Sequence, residues 1–375
     1  MYVLEIARGY PTSKYKQNGI FEFDQAKALV AEGCKVVYAS IDIRSIRRWR
    51  QWGMEKKIID GVHIYGINIP IGNAPKSIQD KVSLWALRKL YKIILKEQGQ
   101  PDILHGHFTK MGYYASWLKE ESGVPLVVTE HSSLMNKKDI SERQRMMGSK
   151  AFKEADQLIS VSDSLSEVIE YNFGVKSKYI PNIVDTELFS YKGEKNHKRF
   201  RIISTGNLVY TKRMDLAIEA FNRAFKDNHN VELIIFGDGP ERKKLEELVH
   251  KYDLKDNITL CGQRSREEIA DALKDGDLFV LPSQTETFGV AYIEALASGT
   301  PVIATRCGGP EMFVDEHNGI MVDVDDIDAL VEAMVYMYNN IENYDNERIS
   351  EDIKRKFSPK AIAQELILTY NEVLK

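Results

Sequence analysis

Strand-like and helix-like runs alternate along this chain in two series, separated by one polar break. In the first series, residues 2–7 read as a buried strand, 21–31 as a helix, 35–40 and 61–69 as strands, and 76–97 as a long helix. Strands follow at 103–105, 126–129 and 158–161, with helices at 112–120 and before Asp156. The break at 191–199, YKGEKNHKR, has no apolar periodicity and reads as an interdomain linker. Alternation then restarts with strand 200–205, helix 215–225, strand 231–236, helix 241–252 and strand 257–261. Helix 266–274, strand 277–282, a short apolar helix and strand 301–305 complete the second series. Such βα repetition predicts α/β architecture, with mainly parallel sheets covered by helices on both faces. Two doubly wound, Rossmann-like domains at 1–190 and 198–357 fit this pattern. A single barrel does not, because it has no polar interruption and needs eight strand units. Residues 358–375 form an amphipathic helix, with Ser358 as N-cap and Pro359 at the first helical position, that can pack back on the first domain. Ligands of doubly wound sheets bind beyond the carboxyl ends of the strands, so a cleft between the domains is the default site.

Composition narrows the class. At 375 residues the chain exceeds one ordinary core, and 43% hydrophobic with 28% charged residues describes a soluble globular protein. The opening apolar run, closed by Arg8, is too brief for a signal-peptide core, and no stretch approaches a membrane span. Cys34, Cys261 and Cys307 lack metal-ligand spacing, which predicts reduced thiols in a cytoplasmic protein. Residues 1–190 hold 27 basic against 22 acidic side chains, and 191–375 hold 24 against 33. A basic first half suggests that it meets an anionic surface or substrate.

Residues 281–299, LPSQTETFGVAYIEALASG, carry the densest chemistry. An apolar run ends at Pro282, a polar loop carries Glu286, and Phe288-Gly289 opens a helix whose one charged side chain over 290–297 is Glu294. A carboxylate in an apolar helix loses solvation unless something pairs with it, and no basic residue lies one turn away. The adjacent hydroxyls of a ribose could satisfy it; the plainer alternative is a place at the helix edge or a distant Lys or Arg. Gly206, Gly237, Gly239 and Gly308-Gly309 each follow a strand, where amide N–H groups near a helix start favour anions. Singly they serve turn geometry; together with Gly289 they point to a phosphate-bearing ligand. Neither a dinucleotide-dehydrogenase fingerprint after the first strand nor a Walker-type loop is present. Lys212, just before the helix that Asp215 enters, could neutralise a leaving diphosphate, or could be a solvated surface lysine. In the first half, His105 and His107 lie two apart on one strand, with His107 at its carboxyl end. His131 ends the next strand, and either histidine can be structural or can hydrogen-bond a ligand.

The stretch 44–57, RSIRRWRQWGMEKK, holds six basic residues, one acid and two tryptophans. Ile43, Ile46, Trp49 and Trp52 recur every three residues, which predicts a helical stripe flanked by Arg44, Arg47, Arg48 and Arg50. Such a helix suits an anionic membrane surface; the alternative is a solvated helix with its tryptophans in the core. Nucleic acid is a poor third reading, because the chain is acidic overall and carries no recognised binding motif.

Taken together, these residues resemble the GT-B glycosyltransferases of family 4, which transfer sugars from nucleotide donors with retention of anomeric configuration. Glu286 and Glu294 are spaced as in that family's E-x7-E signature, inside SQTETFGVAYIEALASGTPVIAT. FGDGP, CGGPE and YIPNIVDTELF are also similar to family patterns, as are GYPTSKYKQNGIFEFDQAKAL and PDILHGH in the first half. The resemblance implies that Glu294 holds the donor ribose, and that Glu286 contacts the donor sugar with the amides of Phe288 and Gly289. Thr287 and Val290 flank those amides in the same donor loop, and Gly206 and Gly237 line the donor site. Lys212 would hold the diphosphate with help from Arg213, Gly19 would let the first loop approach it, and His107 would contact the transferred sugar. His131 would stand on the acceptor side. One departure is Asn207, where the family usually has Arg, so Lys212 must carry most of the phosphate neutralisation.

The activity implied is hexosyl transfer from a nucleoside-diphosphate sugar to a hydroxyl acceptor, without metal or other cofactor. A lipid-linked saccharide or surface-polysaccharide precursor is the expected acceptor. The protein would be cytoplasmic and peripheral on the inner face of the cell membrane. A nucleotide-sugar epimerase of the same fold and an inactive partner subunit of a glycosyltransferase are the alternatives.

Overall fold

The computed structural model describes residues 1–15, 18–193, 195 and 197–375; Lys16 and Gln17 of the first loop, with Glu194 and Asn196 of the polar break, lie outside the described residues. Two compact units divide the chain: Met1–Ile183 with Pro359–Lys375, and Val184–Ser358.

The first unit runs β1 (Tyr2–Ala7), α1 (Ile20–Ala31), β2 (Lys35–Ile43), β3 (Gly53–Ile59), β4 (Val62–Ile69) and α2 (Lys76–Gln98). It continues β5 (Ile103–His107), α3 (Phe108–Ser122), β6 (Leu126–Glu130), α4 (Glu142–Glu154), β7 (Gln157–Ser160), α5 (Asp163–Phe173) and β8 (Lys178–Tyr179). Their sheet has eight strands in the order β3-β4-β2-β1-β5-β6-β7-β8, parallel except where β3 pairs antiparallel with β4. Strands covered on both faces read as continuous apolar runs, and β1, β5 and β6 are buried at every residue. The last helix of the chain, α12 (Pro359–Val373), returns to this unit. Its buried Ile362, Ala363, Leu366 and Tyr370 form one helical stripe in a core shared with Phe23, Ala26 and Leu29 of α1.

The expected basic helix at 44–57 does not form. β2 extends to Ile43, Ser45 bridges Ile71, and Gly53–Ile59 becomes the edge strand β3. Charge pairing explains the difference. Arg50 is buried between Asp42 at 2.7 Å and Glu55 at 3.0 Å, and Arg44 bonds Asp42 at 2.7 Å and stacks on Tyr15. Burial alone would raise the Glu55 carboxyl, but donors from Asn68, Lys57, Tyr10 and Arg50 hold it down at about 2. Two of the four arginines expected on a solvent face are thereby withdrawn. Arg47 and Arg48 stay exposed, beside Ile46 at 63% and Trp49 at 62% exposure.

The second unit runs β9 (Phe200–Thr205), α6 (Met214–Phe225), β10 (Val231–Phe236), α7 (Arg242–Lys251), β11 (Ile258–Gly262) and α8 (Arg266–Lys274). It continues β12 (Leu278–Leu281), α9 (Val290–Ala297), β13 (Val302–Thr305), β14 (Gly319–Val322), α10 (Ile327–Asn340) and α11 (Asn346–Phe357). The six strands are all parallel, in the order β11-β10-β9-β12-β13-β14. Both sheets are thus the doubly wound kind that the βα alternation predicts. Strand order reverses between β1 and β5 in one and between β9 and β12 in the other, and loops leaving such strands diverge to opposite faces and open a crevice. None of the described helices is long and apolar enough to cross a membrane.

Candidate active site

In the second unit, Asn207, Lys212 and Arg213 lie on the loop after β9 and Glu286 on the loop after β12, the two strands at the reversal, with Glu294 on the helix α9 that follows. The loop after β10 lies against the loop after β9. A Cβ on Gly237 (φ 141°) would meet the Gly206 carbonyl oxygen at 1.8 Å, so this approach requires glycine. Downstream of Gly206, a short 3₁₀ turn over Tyr210–Lys212 brings the lysine ammonium 2.5 Å from Glu286 Oε1. The Ser283 hydroxyl donates to the same oxygen at 2.8 Å, and the Gln284 N–H donates to the Thr211 carbonyl at 2.8 Å, tying the loops together. Lys212 and Glu286 are therefore brought into one ion pair. Asn207, exposed, lies on the β9 loop and adds no charge.

Arg213 stands differently from the expectation. Its guanidinium bonds Asp215 at 3.1 Å and also pairs with Asp325, so it is already neutralised and is not placed to help Lys212.

The start of α9 is open to a ligand. The N–H groups of Thr287, Phe288, Gly289 and Val290 have no acceptor among the described residues, as is usual where a helix begins. Gly289, at φ 94°, sets the turn into the helix, and the Phe288 ring anchors the loop against Phe313 and Phe357. The buried Thr287 hydroxyl has no protein partner either. Such an orphan, next to four free amides, fits a polar ligand better than a closed core.

Glu294 takes the plainer of its two expected places, at the helix edge with a distant Arg. It lies on the one partly open stripe of α9, with Val290 and Ala291, while Tyr292, Ile293 and Ala295–Ala297 are buried. A cation does face it: Arg266, at the start of α8, stands 3.5 Å from its carboxylate and lies over the Phe189 ring. Searching one turn along its own helix missed this partner because α8 supplies it across the packing interface between helices. The carboxylate is thus not isolated in an apolar helix.

In the first unit, the reversal between β1 and β5 places the first loop and His107 together at the carboxyl ends of the strands. Gly19 (φ 67°) caps α1, and a Cβ there would meet the Gly9 carbonyl oxygen at 2.1 Å, so the close approach of Gly19 to Gly9 requires glycine. His107 is fully buried and bonds Glu5 through Nε2, with Nδ1 3.2 Å from His131 Nε2. His131 Nδ1 meets Asn182 Oδ1 at 2.8 Å, and burial holds this histidine well below its usual range, hence neutral. Glu130 fixes the surrounding loop by accepting from the N–H groups of Thr109, His131 and Ser132. His107 and His131 are thus adjacent, as their strands require, and neither has a free ring nitrogen in this arrangement.

Sequence reasoning missed Glu5, Arg266 and Ser283. Glu5 had a detectable signal, a single carboxylate inside the apolar run YVLEIA, which is the same signature that drew attention to Glu294. The three cysteines are free, and burial pushes their thiols up, Cys307 to about 12.

Two doubly wound sheets in series, each with polar side chains at the carboxyl ends of its reversal strands, define the GT-B class. Residues 23–188 match the family described as Glycosyltransferase Family 4, and residues 185–355 match Glycosyl transferases group 1. An uncharacterised glycosyltransferase of Methanocaldococcus jannaschii is 31% identical over 282 residues, 73% of this chain and 76% of that protein. A putative teichuronic acid biosynthesis glycosyltransferase of Bacillus subtilis is 27% identical over 379 residues, 93% and 90% of the two chains. Among solved structures, sucrose-phosphate synthase of Thermosynechococcus elongatus shares the fold with TM-score 0.82 at 20% identity, over 99% of this chain and 98% of that one. The chain belongs to glycosyltransferase family 4, and is a GT-B transferase that uses nucleotide-sugar donors.

Proposed function

We propose that the protein moves a hexosyl-type sugar, with retention of configuration, from a nucleoside-diphosphate sugar to a hydroxyl of a lipid-linked or surface-polysaccharide precursor. The second unit binds the donor and the first unit the acceptor. One observation carries this reading: the Lys212–Glu286 pair lies on the loops flanking the reversal of the second sheet, and Glu286 precedes the unpaired amides that open α9. In the reaction, the bond between the anomeric carbon and the diphosphate oxygen breaks and negative charge develops on the leaving phosphate. Lys212 leaves its pairing with Glu286 to meet that charge, and the amides of the 287–290 loop stabilise it further. Glu286 contacts the donor sugar and Glu294 the ribose. The acceptor oxygen attacks from the face that the phosphate leaves, and its proton passes to the leaving phosphate oxygen. No step calls on a metal ion. In the first unit, His107 meets the transferred sugar by exchanging its His131 contact for a sugar hydroxyl, and His131 stays on the acceptor side.

A panel of UDP-, GDP- and ADP-sugars tests the reading by thermal shift. A ligand at a hundred times its Kd stabilises the native state by about 2.7 kcal/mol. At least one sugar nucleotide is expected to raise the melting temperature and then to support transfer, with the anomeric configuration kept in the product. Isomerisation of the donor alone would assign the protein as an epimerase, and binding of no donor would assign it as a partner subunit.

We propose that any membrane contact is made by Ile46, Arg47, Arg48 and Trp49, the exposed part of the loop between β2 and β3. We place this loop on the anionic inner face of the cell membrane, which makes the protein cytoplasmic and peripheral. Each basic residue near such a surface contributes roughly 1 kcal/mol. Anionic vesicles are therefore expected to bind the protein at low salt and release it at high salt. Arg47→Glu with Arg48→Glu should abolish binding, whereas unchanged co-sedimentation of that double variant would remove the loop from the contact.

A further inference from the structure

Beneath His107 runs a buried chain of hydrogen bonds that the transfer chemistry above does not use. Parallel pairing of β1 with β5 sets Glu5 beside His105, and His107 follows two residues on, on the same side of the sheet. Glu5 and both histidines are fully buried. One Glu5 oxygen takes His107 Nε2, and the other lies 3.4 Å from His105 Nδ1. His105 is braced in turn by the Thr129 hydroxyl at 2.7 Å on Nε2 and the Tyr370 hydroxyl at 2.7 Å on Nδ1. Tyr370 comes from α12, so the last helix of the chain reaches the histidine row through one phenol.

We propose that Glu5 is the positioning residue of His107: it accepts a hydrogen bond from Nε2–H, so that Nδ1 is the ring atom His107 presents at the strand's mouth. This rests on the reading that His107 meets the transferred sugar. Burial alone would drive the Glu5 carboxyl up, but the two histidines outweigh it and hold it down at about 2, so the group is an ionised acceptor. An ionised carboxylate can only accept, so the nitrogen facing it must carry hydrogen. That leaves Nδ1 as a bare acceptor. Asn182 Oδ1 likewise requires the one hydrogen of neutral His131 on its Nδ1, so the 3.2 Å contact between His107 Nδ1 and His131 Nε2 holds no hydrogen and is the contact that a ligand hydroxyl, donating to His107 Nδ1, can replace. Burial keeps His105 and His131 neutral. The titratable groups facing His107 are Glu5 from β1, His105 on its own strand and His131 from the loop after β6. Arg8 acts on His131, and Tyr370 acts through His105.

Glu5, His105 and His107 also bring three potential metal-ligand atoms within 4.8 Å of one another. Each of these atoms is already within hydrogen-bonding or ion-pair distance of a neighbour, and the group is fully enclosed, which favours the hydrogen-bonded chain.

Imidazole ¹⁵N NMR of the nucleotide-free protein reads the tautomer directly and is expected to find His107 protonated at Nε2. Glu5→Gln should lower kcat by roughly ten- to hundredfold, the loss usual when a ligating histidine loses its hydrogen-bond partner. Donor KM should change little. Glu5→Gln should also move the His107 ¹⁵N signals away from the pure Nε2–H tautomer, since an amide can donate as well as accept. A purely structural role would lower the melting temperature and leave those signals in place. Tyr370→Phe, a milder change that keeps Glu5, should shift the same ¹⁵N signals in the same direction by less, and it serves if Glu5→Gln does not fold. A wild-type His107 protonated at Nδ1 alone, a folded Glu5→Gln with unchanged kcat and unchanged His107 ¹⁵N signals, an unmoved His107 signal in Tyr370→Phe where Glu5→Gln cannot be obtained, or one metal ion per purified chain would each overturn the assignment. If NMR finds the Nε2 tautomer but no sugar nucleotide supports transfer, the positioning stands and the transferase reading fails.

Discussion

Lys212→Ala is expected to lower kcat/KM for sugar transfer by roughly 10²–10³-fold, the usual loss when one preorganised group is removed from developing transition-state charge. The expectation rests on how the cations of this loop are used. Asn207 supplies no charge, and Arg213 is occupied by Asp215 and Asp325, leaving Lys212 as the ammonium paired with Glu286, the residue just before the open amides of α9. Lys212 pairs with Glu286, whose side chain is 10% exposed, so the variant also strands a nearly buried carboxylate. Part of the loss could then be structural. Lys212→Ala combined with Glu286→Gln separates the two effects. Stability should return toward the wild-type value in the double variant, because the stranded charge is gone, while transfer stays low. Steady-state kinetics and thermal melting on the same preparations make the measurement. A Lys212→Ala enzyme within about threefold of wild type would take the lysine out of charge stabilisation.

The architecture was legible because its signals are local and repeated. Buried parallel strands show as apolar runs such as YVLEIA and VELIIF, and the helices between them keep a 3.6-residue stripe. Pairings across elements were not. The stretch 44–57 has helical spacing, yet becomes a loop and an edge strand, because Asp42 and Glu55 capture Arg50 in a geometry that no periodicity records. β14, α10 and α11 were overlooked beyond residue 305, where GIMV is only four residues long and follows a polar loop. In the site, the residue types and their order along the chain could be read. Which charge meets which could not. Lys212 meets Glu286 across 74 positions and Glu5 meets His107 across 102, distances over which only strand order brings side chains together.

Glu294 gives the second large expected effect, and the presence of Arg266 makes its test sharper. A carboxylate accepting from a ribose diol forms charge-assisted hydrogen bonds worth about 1.5–3 kcal/mol, so Glu294→Ala should weaken donor binding by roughly ten- to over a hundredfold. A partly exposed ion pair with Arg266 contributes only about 0–1 kcal/mol of stability. The two roles therefore separate by size and by readout. If Glu294 serves mainly Arg266, then Glu294→Ala and Arg266→Ala each lower the melting temperature slightly and leave nucleotide affinity alone. If it serves the diol, Glu294→Ala loses affinity while Arg266→Ala loses little, since the guanidinium orients the carboxylate without touching the ligand. Calorimetric titration with a nucleoside diphosphate and its 2′,3′-dideoxy analogue closes the cycle. Wild type should discriminate strongly between the two ligands, and Glu294→Ala should bind them almost equally. Equal binding of both by the wild type would leave the carboxylate as Arg266's partner and nothing more.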